Sequence, residues 1–352
     1  MLAAVARRGQ LLVQDVPDPV PGPGDALVAT HACGICGSDL HALVHAESVA
    51  EMSLGAGQPA MFDPSADFVM GHEFCAEVLE LGPDTDGVIA RPGDLVVSIP
   101  AALTSTGLQA IGYSNTYGGA YAERLRLTAG MCMKVPDGLD ARRAALTEPM
   151  AVGLHAVHKS KITPGDAALV LGCGPIGLAV IAALALEGVE PIVAADFSSR
   201  RRDLAVRMGA HEVVDPGDEA AIDAWRRVDG RRPLVVYEAV GVPGMLDAAM
   251  RDAPPQARVL VVGVCMEEDH VRPMVGVMKE LSIQFAFGYD PMEFAATLAA
   301  IAEGRLDVTP LITGTVGVEG VPAAFAALAD PEDHVKILVE PDGPSRTTEI
   351  RV

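Results

Sequence analysis

Between Cys36 and His41 the chain places a thiol, a hydroxyl, a carboxylate and an imidazole, within Gly34-Ile35-Cys36-Gly37-Ser38-Asp39-Leu40-His41. Each of these groups has a separate use in taking a proton off an alcohol. Alone, the stretch is ambiguous, because Cys33 and Cys36 form a C-x-x-C pair that could be half of a zinc knuckle or a dithiol redox couple. The knuckle needs a second C-x-x-C, which the sequence lacks. The redox couple needs a preceding strand and a following helix, whereas an extended, Pro-rich N-terminus leads into the pair.

A second stretch, Gly71-His72-Glu73, changes the balance. Zinc accepts thiolate sulfur, imidazole nitrogen and carboxylate oxygen, and a catalytic site keeps one position open. Cys36, His72 and Glu73 supply one ligand of each type. Glu148, in Leu146-Thr147-Glu148-Pro149, is a fourth candidate. Pro149 suits the first position of a helix, which would set the Glu148 carboxylate at the helix mouth.

Composition bounds what these groups can serve. A chain of 352 residues exceeds what one hydrophobic core supports, so two domains are expected. A formal charge of −21 argues against nucleic acid, whose phosphates need a basic surface. At the N-terminus the arginines follow the short apolar run instead of preceding it, unlike a secretory signal, and no apolar run is long enough to span a bilayer. Six unevenly spaced cysteines, one of them a metal candidate, make a reduced cytoplasmic protein the expectation.

The first region must position the site, and it reads as mainly β. Ala26 to Thr30 form a strand running directly into the cysteine stretch, and further strands are expected at Phe74 to Gly82, Asp94 to Pro100 and Tyr121 to Leu127. A partly closed barrel with the metal candidates on its loops would satisfy this pattern. Residues 42–70 form the least readable connection, and an apolar binding surface is expected from Met52, Phe62, Tyr113, Tyr117 and Met266.

Near Pro149 the pattern changes. Ala167 to Leu171 is a buried strand feeding Gly172-Cys173-Gly174-Pro175-Ile176-Gly177, a G-x-G-x-x-G loop that opens an apolar helix. Gly172 makes the tight turn, Gly174 lets backbone approach a pyrophosphate, and Gly177 lets helix pack on strand, with Pro175 and Ile176 between them. The next strand ends in Asp196, nineteen residues past Gly177, where a carboxylate grips the adenosine ribose diol. Six strands alternating with helices fit a doubly wound parallel sheet of the α/β class.

A carboxylate at Asp196 accepts both ribose hydroxyls of NAD and repels the extra phosphate of NADP. Arg200-Arg201-Arg202 lies close enough for one guanidinium to reach that phosphate, and Arg201 is assigned to the cofactor site. The triplet otherwise reads as a solvated helix face, so NAD is expected ahead of NADP. The domain expectation is residues 151–289 for the nucleotide-binding domain, inserted between 1–150 and 290–352. Cys75 and Cys265 are expected in apolar strands, while His31, His45, His155 and His158 belong to no motif.

Taken together, the cysteine stretch, Gly71-His72-Glu73, Glu148-Pro149, the glycine loop and Asp196 resemble the zinc-dependent medium-chain alcohol dehydrogenases, most closely their sorbitol and threonine dehydrogenase-like branch. The resemblance covers nearly the whole chain. It implies a Rossmann sheet inserted in a GroES-like catalytic domain, in a homodimer or homotetramer. It further implies that Cys36 and His72 hold zinc, with Glu73 and Glu148 as exchangeable acidic ligands. Ser38 would take the alcohol's proton and pass it through a cofactor ribose hydroxyl to His41, and Asp39 would support the site. Residues 101–119 contain no cysteine, so the four-cysteine structural zinc lobe of many relatives is missing and one catalytic zinc per subunit is expected.

The activity implied is hydride transfer between a small alcohol, expected to be secondary, and NAD, giving a ketone or aldehyde. Two alternatives stand beside it. One is a zinc-independent quinone or enoyl reductase of the same superfamily, which has no use for four metal candidates. The other is a non-catalytic NAD-binding protein on the same scaffold, in which the cysteine could be replaced without effect.

Overall fold

The computed structural model describes residues 1–352 except 56, 58, 59, 106, 331, 346 and 350–352; the side chains of Met52, Ser53 and Glu349 also lie outside the description. The chain divides into two compact units, Met1–Glu148 with Ile312–Val352, and Pro149–Leu311.

In the first unit the organising strand is Asp25–Gly34. It pairs antiparallel with Glu73–Leu81, Gly34 facing Glu73, and with Lys336–Val339, Leu338 facing Gly34. Three strands thus bring their ends to Gly34, immediately before the cysteine turn. Apolar side chains drive this arrangement, alternating at Phe74, Ala76 and Val78 and continuous at Ile337 and Leu338; these, with Val28 and Ala32, are all buried. The mainly β character expected of this region is present, in an eight-stranded sheet and a separate three-stranded sheet.

Two elements depart from expectation. Residues 42–70, the least readable connection, hold the end of helix Gly37–Val44 and a further helix, Ala46–Gly55. In place of the missing lobe stands a hairpin, Ala101–Thr104 with Gly107–Ala110, pairing Leu103 with Leu108. Short and without a clear apolar period, it left little trace in the sequence.

The second unit is a six-stranded parallel sheet in the order 3-2-1-4-5-6, counted from Ala167–Leu171 through Ile192–Ala195, Glu212–Val214, Leu234–Glu238, Arg258–Val261 and Ser282–Phe285. Every residue of Ile192–Ala195 and Leu234–Glu238 is buried, as required of a parallel sheet covered on both faces. The chain returns to the first unit between Leu311 and Ile312, not at 289/290 as expected. The helix Pro291–Ala302 belongs to the nucleotide-binding unit, because Glu293 accepts from His155 and His158 on helix Thr147–Ser160, each at 2.8 Å. Amphipathic periodicity shows that a helix needs a core without saying which one.

Candidate active site

The turn after Gly34 starts the helix Gly37–Val44, whose N-cap is Cys36, so the strand and helix not expected around the Cys33–Cys36 pair are both present. What sets the pair apart from a dithiol couple is the fully buried Cys33, whose thiol burial raises well above its ordinary pKa. Asp39, at the third helical position, accepts from the Cys36 amide at 3.1 Å and so fixes the thiol's turn. His72 and Glu73 arrive at the beginning of the partner strand. The sulfur of Cys36, one nitrogen of His72 and one oxygen of Glu73 lie within 4.8 Å of one another. Zinc ligands sit roughly 2.0–2.3 Å from the ion, so this donor set needs only a small contraction to share one cation. Gly34 makes the room: a Cβ there would stand 2.0 Å from Glu73 Oε2.

Asp39 is fully buried and surrounded by donors. Tyr121 donates to Oδ2 at 2.6 Å, Tyr113 lies 3.0 Å from Oδ1, and His72 Nδ1 faces Oδ1 at 3.3 Å, off the alignment of a hydrogen bond. Burial raises the Asp39 carboxyl, but His72, Tyr121 and the Cys36 amide outweigh it and hold its pKa below the usual range. In return, although burial works against protonated His72, Asp39 raises its pKa well above the ordinary value. A cation binding His72 must therefore displace a proton. With Nδ1 turned to a carboxylate, the other ring nitrogen is the one left for a metal, the arrangement that orients histidine ligands generally.

Lys336 completes the site and was not anticipated. Almost fully buried, it donates to both oxygens of Glu73 at 2.7 Å and to the Ile35 carbonyl at 3.1 Å. Burial favours its neutral form, yet Glu73 and Cys36 raise its pKa above the ordinary lysine value, so it stays charged. Its sequence signal was a lysine inside the apolar run Val335-Lys336-Ile337-Leu338-Val339. Glu148, buried in the first turn of helix Thr147–Ser160, stands outside the Cys36–His72–Glu73 group and contributes to the same field on Lys336. That helix starts before Pro149, so Glu148 lies within its first turn instead of just ahead of it.

Ser38 and His41 share the helix that follows Cys36. Tyr113 Oη lies 2.9 Å from Ser38 Oγ, and its ring packs on His72 (centroids 5.4 Å apart) and Phe62 (6.4 Å). Of the expected apolar surface, Tyr113 packs on the metal candidate His72, and Phe62 packs on Tyr113. Tyr117 is instead occupied by the Arg126 guanidinium 4.2 Å above its ring, and the Met52 side chain lies outside the described residues. Cys75 and Cys173 are buried, their thiols pushed up to about 12 by burial. Cys265 lies beyond the strand Arg258–Val261 and is only partly buried, contrary to expectation, donating to Glu267 O.

In the second unit the glycine loop has the geometry its spacing implies. Gly172 adopts φ +91, a Cβ on Gly177 would collide with Gly172 O at 1.9 Å, and one on Gly174 would meet nothing within 4 Å. The space in front of Gly174 is therefore open, and helix Pro175–Leu186 begins there without a side-chain cap. Asp196 accepts from the Cys173 amide at 2.7 Å and the Ser198 amide at 2.9 Å, locking the carboxylate beside the loop. Arg202 is committed to Asp215 and to the carbonyls of Asp196 and Phe197, while Arg201 lies 4.0 Å from Asp196.

Residues 22–137 match the alcohol dehydrogenase GroES-like domain, and residues 175–303 match the zinc-binding dehydrogenase domain. The chain belongs to the zinc-dependent medium-chain alcohol dehydrogenases. Among curated relatives, it is 31% identical to a (R,R)-butanediol dehydrogenase of Bacillus subtilis over 94% of this chain and 96% of the other. It is 28% identical to a sorbitol dehydrogenase of Bos taurus over 90% of this chain and 89% of that one. The crystal structure of 2R,3R-butanediol dehydrogenase from Bacillus subtilis is similar with TM-score 0.83 at 30% identity, covering 97% of this chain and 99% of that one. A Sinorhizobium meliloti structure bound to NADP reaches the same TM-score at 27% identity, covering 97% of this chain and 99% of that one. For a dehydrogenase of this family, zinc and a nicotinamide dinucleotide are the groups that the donor set and the glycine loop fit.

Proposed function

We propose that this alcohol dehydrogenase oxidises small secondary alcohols with NAD, using one zinc per chain held by Cys36 and His72, with Glu73 and Glu148 as alternating acidic ligands. The observation that carries the metal site is the approach of three chemically different donors to within 4.8 Å of one another. Bound there, zinc supplies Lewis acidity that eases loss of the alcohol's proton, and the nicotinamide supplies the hydride acceptor.

The protein's own groups do the rest. Asp39 orients His72, and Lys336 holds Glu73 while leaving lone pairs on its carboxylate for a cation. Ser38 takes the alcohol's proton and hands it toward His41. Partial desolvation, with His45 nearby, lowers the pKa of His41, so that near neutrality the imidazole is free to accept. Aromatic groups beside His72 support an alcohol of moderate size with an apolar flank.

NAD is supported over NADP by Asp196, whose remaining lone pairs suit a ribose diol and whose charge opposes a phosphate. A homo-oligomer is supported by the sheet edge Ser282–Phe285. Phe285 and Phe287 are 64% and 88% exposed there, and Met274, Val277 and Met278 on helix Pro273–Lys279 are exposed as well. An edge this apolar calls for cover, and a second copy can provide it by edge pairing.

The test is metal analysis combined with a panel of alcohols, reading the absorbance of reduced cofactor with NAD and with NADP. We expect close to one zinc per chain, turnover with NAD, and loss of both metal and turnover in Cys36→Ser. Full turnover by metal-free protein would leave the quinone or enoyl reductase reading instead.

A further inference from the structure

The proton path proposed above gives Tyr113 no task, yet this phenol touches both the serine of that path and the carboxylate behind His72. Its oxygen is 2.9 Å from Ser38 Oγ and 3.0 Å from Asp39 Oδ1. The phenol has one hydrogen for two acceptors. On Asp39, Tyr121 at 2.6 Å and the Cys36 amide at 3.1 Å both supply Oδ2, while Oδ1, the oxygen Tyr113 approaches, is otherwise faced by His72 Nδ1 at 3.3 Å, off the alignment of a hydrogen bond. The Tyr113 hydrogen is therefore shared between Ser38 Oγ and Asp39 Oδ1, at nearly equal distances from the two.

A serine hydroxyl carries one hydrogen and two lone pairs. Donation from Tyr113 fills one lone pair. What remains is one lone pair, able to receive the alcohol's proton, and one hydrogen, able to leave toward the exit. Without that donor the hydroxyl rotates, and either function can point away from its partner. One proton enters Ser38 and one leaves it, so the serine ends each turnover as it began.

We propose that Tyr113 is a positioning residue that sets the direction of the Ser38 hydroxyl, and that by sharing its hydrogen with Asp39 it ties this orientation to the placement of His72. The proposal rests on the reading of Ser38 as the group that accepts the alcohol's proton. The ring is held independently, between His72 at 5.4 Å and Phe62 at 6.4 Å between centroids. Tyr113→Phe therefore keeps the packing and removes only the hydroxyl.

Two measurements on the zinc-loaded full chain test it. In steady-state kinetics, Tyr113→Phe should lower kcat about tenfold, the order of effect of one lost hydrogen bond on a proton-transfer group. KM should stay within a factor of about two to three, zinc content should be that of the parent, and the solvent deuterium isotope effect should rise. Independently of activity, the protein labelled with 3-fluorotyrosine carries five tyrosines, and the Tyr113 fluorine resonance, assigned by its loss in Tyr113→Phe, should move in Ser38→Ala. An unmoved resonance, an unchanged kcat and isotope effect, or a kcat that falls only in proportion to lost zinc would each overturn the assignment. A parent protein that holds no zinc and turns over no alcohol would instead remove the dehydrogenase reading beneath it, whatever the fluorine signal does.

Discussion

At the scale of single residues, the pair that deserves a measurement first is Lys336 with Glu73, both inaccessible and 2.7 Å apart. Breaking a buried pair by removing one partner costs on the order of 3–5 kcal/mol, because a charge stays behind without compensation. A bound cation would compensate Glu73. Lys336→Met should therefore lower the melting temperature of the metal-free protein much more than that of the zinc-loaded protein, as read by calorimetry with and without chelator; equal losses would separate Glu73 from the metal. At the cofactor end, Asp196→Ala should shift the ratio of kcat/KM for NAD over NADP by at least about tenfold toward NADP. Cys36, His72, Glu73 and Asp196 were legible in the sequence because their types are rare and sit in short motifs. Lys336 and Tyr121 were not, and Tyr113 was expected only as an apolar lining group, since each acquires its hydrogen-bonding role from a partner that folding brings from 74 or more positions away.

Among elements, strands with clean alternation and the parallel run with its glycine loop were readable. What periodicity could not convey was allegiance. The helix Pro291–Ala302 looks alike whichever unit it joins, and the clamp of Glu293 between His155 and His158 is a contact that ties it to the second. Burial raises the Glu293 carboxyl, but the Asp290 amide and both histidines prevail and lower its pKa. A carboxyl depressed in the folded state contributes stability that is present above its unfolded value, about 4.3, and lost as pH falls through the depressed folded value. Glu293→Gln should accordingly lower the melting temperature near pH 7, with the difference from the parent shrinking below about pH 4. A difference that persists unchanged at pH 3 would mean that packing, not charge, joins these helices.

For the whole molecule, the apolar edge at Ser282–Phe285 predicts its own assembly. If the proposed oligomer pairs through this edge, Phe285→Asp should give a monomer in light scattering while leaving cofactor binding measurable; a parent that is itself monomeric, or a mass unchanged from the parent's, would overturn the pairing. A different consequence follows from the discontinuity of the first unit. A ribosome delivers residues 149–311 in one uninterrupted length, and that unit has all its strands before Ile312 emerges. The earlier unit must wait: strand Asp25–Gly34 lacks a neighbour, and Glu73 its ammonium, until Lys336–Val339 is synthesised. During that interval the dinucleotide half can already be finished while the half bearing Cys36 and His72 is still open along one seam, so nascent chains should acquire their nucleotide before they acquire a settled metal.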